Sequence, residues 1–232
     1  TKAPGDSKEM VAARRAFLNA GYYGIFGKAV GELCAEYGQP ASPEAALHLL
    51  DAGCGEGWYD RCIAQALAEK GRRVQLAGFD IAKPAVRLAA KALPTAQYAV
   101  ASSFSQPVRT GWADLLLNCF SPFAQEEFLR VLKPDGQFIM TIPLENHLYG
   151  LKEAIYEKPY RNEVKPYELE GFRLVDCREL RYEMTVRGQE IESLFMMTPY
   201  YYKTGAADQQ KLLAKTELTT PVEFAVLRYG KK

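Results

Sequence analysis

Apolar residues follow two spacings along this chain, helical at its start and strand-like soon after. Met10, Ala13, Phe17 and Leu18 keep roughly helical spacing. Asp6 is the expected N-cap of that first helix, with Glu9 reaching back from the third helical position and Gly21 stopping it. A second helix is expected from Gly24 to Tyr37, ending at Gly38, and Pro40 and Pro43 mark a linker.

From there short apolar runs alternate with helical stretches. Strands are expected at Leu47–Ala52, Val74–Asp80, Ala96–Ala101, Ala113–Cys119 and Gln137–Ile142. Helices are expected at Trp58–Lys70, at Lys83–Leu93 with Pro84 in its first turn, and at Ala124–Leu132. This order predicts right-handed βαβ units and a mostly parallel α/β sheet. The continuous Leu115-Leu116-Leu117 suits a central strand buried on both faces. After Pro143 the pattern changes. Tyr149–Tyr167 reads as polar, aromatic and irregular, while Phe172–Thr185 and Val222–Tyr229 read as long strands. Helical patterns near Gln189–Met197 and Asp208–Lys215 separate those two, which should close the sheet as an antiparallel pair.

Composition adds bounds. With 48% hydrophobic residues, 25% charged ones and a net charge of +1, the 232-residue chain is neither disordered nor broadly attracted to nucleic acid or acidic membrane. Its apolar runs fall short of the roughly 18 residues a membrane span needs, so no membrane partner is expected. Cys34, Cys54, Cys62, Cys119 and Cys177 are odd in number and widely spaced, which reads as free thiols in a reducing cytoplasm, with no metal site. The start at Thr1, without Met, raises the expectation that a segment upstream is missing.

The chemistry concentrates at Asp51-Ala-Gly-Cys-Gly-Glu-Gly57, where the first sheet strand should meet its helix. Glycines there admit left-handed backbone and let a ligand approach the chain, and the helix start offers free N–H groups. The spacing is GxGxG, not the GxGxxG of dinucleotide-binding proteins, which leaves a nicotinamide enzyme the weakest option. A carboxylate at Asp51 would repel pyrophosphate but suits a ligand carrying an ammonium beside a sulfonium. Asp80, at the end of the second strand, can accept both hydroxyls of a ribose. Read blandly, the same residues are a glycine turn with two helix caps.

The glycine loop, Asp80 and Val131-Leu-Lys-Pro-Asp-Gly136 resemble motifs of the class I S-adenosylmethionine-dependent methyltransferases. That resemblance implies a Rossmann-like seven-stranded, mostly parallel sheet with its last strand antiparallel, here preceded by two N-terminal helices. A narrower likeness spans nearly the whole chain. Pro4-Gly-Asp-Ser-Lys-Glu-Met10, Ala13-Arg-Arg-Ala-Phe-Leu18, Gly21-Tyr-Tyr23, Gly53-Cys-Gly-Glu-Gly-Trp-Tyr59, Val100-Ala-Ser-Ser103, Ser121-Pro122, His147-Leu148, Leu151-Lys152, Leu169-Glu-Gly-Phe172 and Met197-Thr-Pro199 resemble the bacterial 23S ribosomal RNA guanine-N1 methyltransferases. One branch of that family is linked to resistance against tylosin-like macrolides. Family members carry an N-terminal zinc module, so zinc is expected only in such a module upstream of Thr1.

The likeness implies S-adenosylmethionine as cofactor, large-subunit ribosomal RNA as partner and S-adenosylhomocysteine as product. It implies a division into residues 1–40, a helical segment covering the cofactor site, and 41–232, the methyltransferase domain with substrate-side insertions at 144–170 and 186–216. Cofactor contact is implied for Tyr23, Asp51, Gly53, Gly55, Gly57, Trp58, Asp80, Ala101, Ser102, Asn118 and His147. Several have a plain alternative: Tyr23 and Trp58 as core, Ser102 and Ser103 as turn residues, His147 as a surface-loop histidine. Asn118-Cys-Phe-Ser-Pro122-Phe123 departs from the Asp/Asn-Pro-Pro-aromatic run of amino-directed enzymes, which argues against an exocyclic amine as target, and Pro122 should shape the active-site loop. His48 reads as a satisfied core side chain, and Asp114 and Glu145 lie near the ligand edge without either declaring itself a base. Arg14, Arg15, Lys152, Lys158, Arg161 and Lys165 read either as RNA contacts among aromatics or as a solvated face. The alternatives are a small-molecule methyltransferase and a cofactor-binding module without activity.

Overall fold

The computed structural model describes residues 4–38, 40, 42 and 44–232. Pro43, read as a linker residue, lies outside the described residues, as does the Thr1–Ala3 start. Two helices come first: α1 (Lys8–Asn19) and α2 (Gly24–Tyr37). Ser7, not Asp6, caps α1, its hydroxyl accepting from the Met10 amide at 3.2 Å. Asp6 is drawn away by an ion pair with Arg14, two turns along the helix.

The sheet follows, with β1 (Leu47–Ala52), α3 (Trp58–Glu69), β2 (Val74–Asp80), α4 (Lys83–Ala92), β3 (Gln97–Val100), β4 (Ala113–Cys119), α5 (Gln125–Val131) and β5 (Leu132–Pro143). Its order is β3-β2-β1-β4-β5-β7-β6, where β6 is Phe172–Arg187 and β7 is Glu217–Lys231. β7 runs antiparallel to both β5 and β6, and the remaining pairs are parallel. This is the seven-stranded, mostly parallel α/β sheet expected from the alternation.

β4 is buried along its whole length between β1 and β5. Its leucines divide between two cores: Leu115 and Leu117 join Phe17, Phe26 and Ile63 on the face covered by α1, α2 and α3. Leu116 joins Phe128 and Phe138 on the face covered by α5. A parallel strand coated on both sides has no polar face to show, which is why its sequence does not alternate. α2 lies so close to α3 that a Cβ on Gly31 would stand 2.7 Å from the Cys62 carbonyl oxygen.

β5 begins earlier than its sequence pattern indicated. Leu132 pairs with Ala113, the ladder resumes at Gln137 with Leu115, and Lys133–Gly136 bulge between them because Pro134 has no N–H to give. Tyr149–Tyr167 is not wholly irregular, since it opens with α6 (Tyr149–Ile155). α7 (Glu190–Met196) and α8 (Ala206–Leu213) lie between the last two strands. β5 meets β7 only from Phe224 to Gly230, so β7 from Glu217 to Glu223 pairs with β6 alone. That two-stranded ribbon rises past the C-terminal edge of the parallel strands, carrying the Met197–Tyr200 turn with it. The charges of β6 keep this long edge strand solvated. No helix among the described residues is long and apolar enough to cross a membrane.

Gly31→Val is expected to lower stability in urea denaturation by about 1–3 kcal/mol, the usual cost of forcing methyl groups into a closed contact. An unchanged midpoint would show that α2 can shift away from α3 freely.

Candidate active site

β1 and β4 end side by side at the C-terminal edge of the sheet, and the site is built where their loops touch. Gly53 (φ 91°) turns the chain out of β1, and the Gly53 and Cys54 amides both donate to the Phe79 carbonyl at the end of β2, at 2.9 and 3.0 Å. A Cβ on Gly53 would stand 2.2 Å from Ser121 Cβ. Glycine is required here both for the backbone and for the approach of the β4 loop. The Ser121 hydroxyl donates to the Ala52 carbonyl, and Asn118 Nδ2 donates to Ser121 Oγ at 2.6 Å and to the Pro122 carbonyl at 3.3 Å. Beyond Gly55 there is open space, with no atom within 4 Å of where a Cβ would sit.

Asp80 spans the loop from the other side. Its Oδ2 accepts from the Gly55 amide at 3.0 Å and its Oδ1 from the Ala82 amide at 2.8 Å. Each oxygen keeps a lone pair for a further donor. Asp80 therefore shapes the loop and remains free to bind hydroxyls, so its two sequence readings are compatible.

A cavity of about 530 Å³ opens above these loops. Of the residues named from sequence, Tyr23, Gly53, Gly55, Trp58, Asp80 and His147 line it. Asp51 does not; it lies beneath the loop, 1% exposed, with its carboxyl against that of Asp60. Gly57 packs against Ala89, Asn118 is buried in its clamp on Ser121, and Ala101 and Ser102 follow the β3 edge strand outside the cavity lining. Sequence reasoning overlooked Glu56, a loop residue lining the cavity at 2% exposure. Neither of its oxygens has a hydrogen-bond partner, and the Arg61 guanidinium stands 3.7 Å away. It also overlooked Phe120 and Phe224. Glu56 had a signal, its place between two loop glycines. Phe224 had none, because only the β5–β7 pairing brings it to the site.

Buried carboxyl groups gather under the loop. Burial pushes the Asp51 carboxyl up, and Asp60 and Asp80 nearby push it further. Burial also raises Asp60, although the Tyr98 hydroxyl donating to it at 2.8 Å and a hydrogen bond with the Asp51 carboxyl oppose this. Glu56 is raised by burial as well, against the pull of Arg61, Arg15 and Arg14. Such a set of desolvated, under-paired carboxylates fits a ligand that carries positive charge.

On the opposite wall, Tyr23 and His147 meet at 3.3 Å between Oη and Nε2. His147 Nδ1 accepts from the Glu223 amide at 3.3 Å, so the ring proton is assigned to Nε2 and is donated to Tyr23. Burial, and then the Lys152 charge, pull the His147 pKa down to about 3. This imidazole is neutral at physiological pH and is not a proton acceptor there.

Other expectations change. His48 is half-buried, stacked on Trp112 at 5.0 Å and 3.8 Å from Asp114. Asp114 itself accepts from the His48 amide at 2.9 Å and from Lys133 Nζ at 2.5 Å. Both sit where β1 and β4 begin, so Asp114 lies at the end of the strands opposite the glycine loop. Glu145 is exposed, 3.8 Å from Arg181. Lys152 is fully buried, donating to the Tyr160 carbonyl at 3.0 Å and Asn162 Oδ1 at 2.6 Å, so it holds the fold and faces no solvent. Arg14 lines the cavity and is engaged by Asp6 and, at 3.4 Å, by the Met197 carbonyl. Lys158, Arg161 and Lys165 are exposed. No group of three or more metal-binding side chains occurs among the described residues.

Comparison with known proteins agrees with this geometry. Residues 50–140 match the family described as "Methyltransferase domain". The [4+2]-cyclase SpnF superposes with a TM-score of 0.56 at 17% identity, covering 88% of this chain and 81% of that one. The YcgJ protein of Bacillus subtilis gives 0.55 at 14% identity, covering 88% and 98%. The sheet shares the fold of these two structures, and the stretch matching a methyltransferase domain contains the glycine loop.

Among proteins of known name, the chain is similar to several called 23S rRNA guanine-N1-methyltransferases. A protein carrying that name from Micromonospora griseorubida is 36% identical over 65% of this chain, and the 23S rRNA (guanine(748)-N(1))-methyltransferase of Streptomyces fradiae is 34% identical over 67%. The chain spans about half the length of these two relatives, 53% of each. YxjB of Bacillus subtilis, of the same naming, is 28% identical over 94% of this chain and 79% of its own length.

The His147 environment predicts acid sensitivity. The unfolded chain takes up a proton near pH 6.5 and the native imidazole only near pH 3. Wild-type stability should thus fall across that window by as much as about 1.4 kcal/mol per pH unit, and His147→Gln should lack this component. Urea midpoints at pH 7, 5.5 and 4.5 check it, and parallel curves for the two proteins would contradict it.

Proposed function

We propose that this chain is the catalytic part of an S-adenosylmethionine-dependent enzyme methylating N1 of a guanine in large-subunit ribosomal RNA. The observation that carries the proposal is the likeness to YxjB across 94% of the chain, together with the cavity over the glycine loop. Residues 1–40 act as the cover of the cofactor site and 41–232 as the methyltransferase domain, with 144–170 and 186–216 on the substrate side. Zinc belongs, on the family resemblance, to a module upstream of Thr1. A cytoplasmic location accords with the free cysteines. The macrolide-linked branch of the family makes a resistance role worth assaying.

The site fits the cofactor. Asp80 would accept the ribose hydroxyls. Glu56, with Asp51 beneath it, would balance the ammonium group and the sulfonium charge. The Gly53–Gly57 backbone and Trp58 would border the methionine moiety, Ala101 and Ser102 would border the adenine, and Tyr23, Asn118 and His147 would border the cofactor on the side where methyl transfer occurs. When bound, S-adenosylmethionine supplies an electrophilic methyl group. Catalysis by the protein then rests on holding two reactants in line, since little covalent chemistry is left to side chains. Guanine N1 must lose its proton, to solvent water, to become nucleophilic. His147 is neutral and donates its Nε2–H to the Tyr23 oxygen, which leaves the tyrosine O–H free to donate to the guanine O6 as negative charge gathers there.

A second reading, methylation of a small apolar molecule, is favoured by the aromatic lining of Tyr59, Phe120, Tyr200 and Phe224. Tritium transfer from labelled cofactor to unmodified ribosomal RNA by the full-length protein separates the two, with label expected at guanine N1. Label on another atom, or only on small molecules, rejects the RNA reading. Asp80→Ala and Glu56→Gln should each weaken S-adenosylhomocysteine binding in calorimetry by about tenfold or more, since each removes a charge-assisted contact. Unchanged affinity in both would remove the cofactor from this loop.

A further inference from the structure

Among the described residues only Phe120 (φ 58°) and Leu148 (φ 57°) hold left-handed backbone without being glycine. Both line the cavity, one just after β4 and the other in the turn after β5. Strained backbone persists where its surroundings over-determine it, and such positions cluster at functional sites. For Phe120 the determinants are clear. Ser121 is clamped between Ala52 and Asn118, and Gly53 has no side chain to keep it away. The clamp ties the Phe120 backbone to the glycine loop, so the ring keeps a fixed position relative to whatever that loop holds.

Phe120 is 45% exposed although it borders the cavity, and aromatic neighbours back its ring: Phe224 at 5.0 Å, Phe26 at 5.8 Å and Tyr59 at 6.4 Å between centroids. An apolar ring held in a strained corner, supported from behind and open in front, presents a flat face to a ligand. A flat aromatic face recognises a planar π-system, and tolerates any base through stacking.

We propose that Phe120 is the stacking wall for the planar acceptor, a purine base turned out of its RNA, and that the Ser121 clamp sets its distance from the cofactor loop. This rests on the nucleobase reading of the preceding section. Phe120 is then a positioning residue that acts on the acceptor and not on the cofactor.

Three variants test it. Phe120→Ala and Phe120→Leu should raise KM for unmodified ribosomal RNA by about 10- to 100-fold, the usual loss when a stacking ring is removed. Phe120→Tyr should transfer methyl groups as the wild type does. All three should bind S-adenosylhomocysteine with unchanged calorimetric affinity, which also shows that they fold. Leucine is the discriminating change, because it keeps apolar bulk without a planar face. A Leu variant with wild-type KM, or an Ala variant that loses S-adenosylhomocysteine, overturns the proposal. A separate arm is independent of the RNA assay. With guanosine 5′-monophosphate and S-adenosylhomocysteine present, saturation-transfer NMR should show base H8 saturated in the wild type and not in Phe120→Ala. If the wild type labels no RNA yet saturates H8, the functional reading fails and the stacking wall stands. If H8 is not saturated in the wild type, the wall itself is refuted.

Discussion

The contact between Gly53 and Ser121 is the constraint on which the site depends. Two loops leave the sheet from neighbouring strands, and any side chain at position 53 would drive them apart. Because none is there, Ser121 reaches the Ala52 carbonyl and Asn118 secures Ser121. The loop that would hold a cofactor and the loop that faces an acceptor thus become one rigid unit. In-line transfer between two bound molecules asks for such fixed spacing more than for a reactive side chain. Phe120 pays for this rigidity in backbone strain, and the clamp is what sustains it.

Electrostatics divide the cavity in two. Under the glycine loop, Asp51, Glu56 and Asp60 are buried, and burial favours their protonated forms, which a bound cation would help to ionise. Across from it the wall is aromatic and neutral, with His147 held uncharged by burial between Tyr23 and the Glu223 amide. A cationic ligand is therefore drawn to one half and a flat, apolar one to the other. The fold alone would not decide this, since a [4+2]-cyclase shares it.

Much of the architecture was legible along the chain because strands buried on two faces announce themselves. Leu47–Ala52, Val74–Asp80 and Ala113–Cys119 begin and end where their apolar runs do. The misreadings share a cause, competition from distant partners. Asp6 had the chemistry of an N-cap, but Arg14 claimed it and Ser7 took its place. Lys152 read as an RNA contact or as part of a solvated face, yet Tyr160 and Asn162 supply acceptors that let it be buried. β5 and β7 run beyond their apolar cores because ladder hydrogen bonds continue through polar residues whenever a neighbouring strand is there to receive them.

By itself, the sequence determined the α/β alternation, the glycine turn after β1 and the acidic residue closing β2. Each of these is local: a spacing, a permitted backbone angle, a charge beside a turn. Tertiary structure alone decided which of those residues face the cavity. It put Asp51 beneath the loop and Glu56 in the lining, and moved Asp114 to the far end of the strands. It also brought Phe224 from the last strand to stand behind Phe120. Those outcomes depend on how strands far apart in the chain pair, and pairing is a property of the whole sheet that no single stretch of sequence carries.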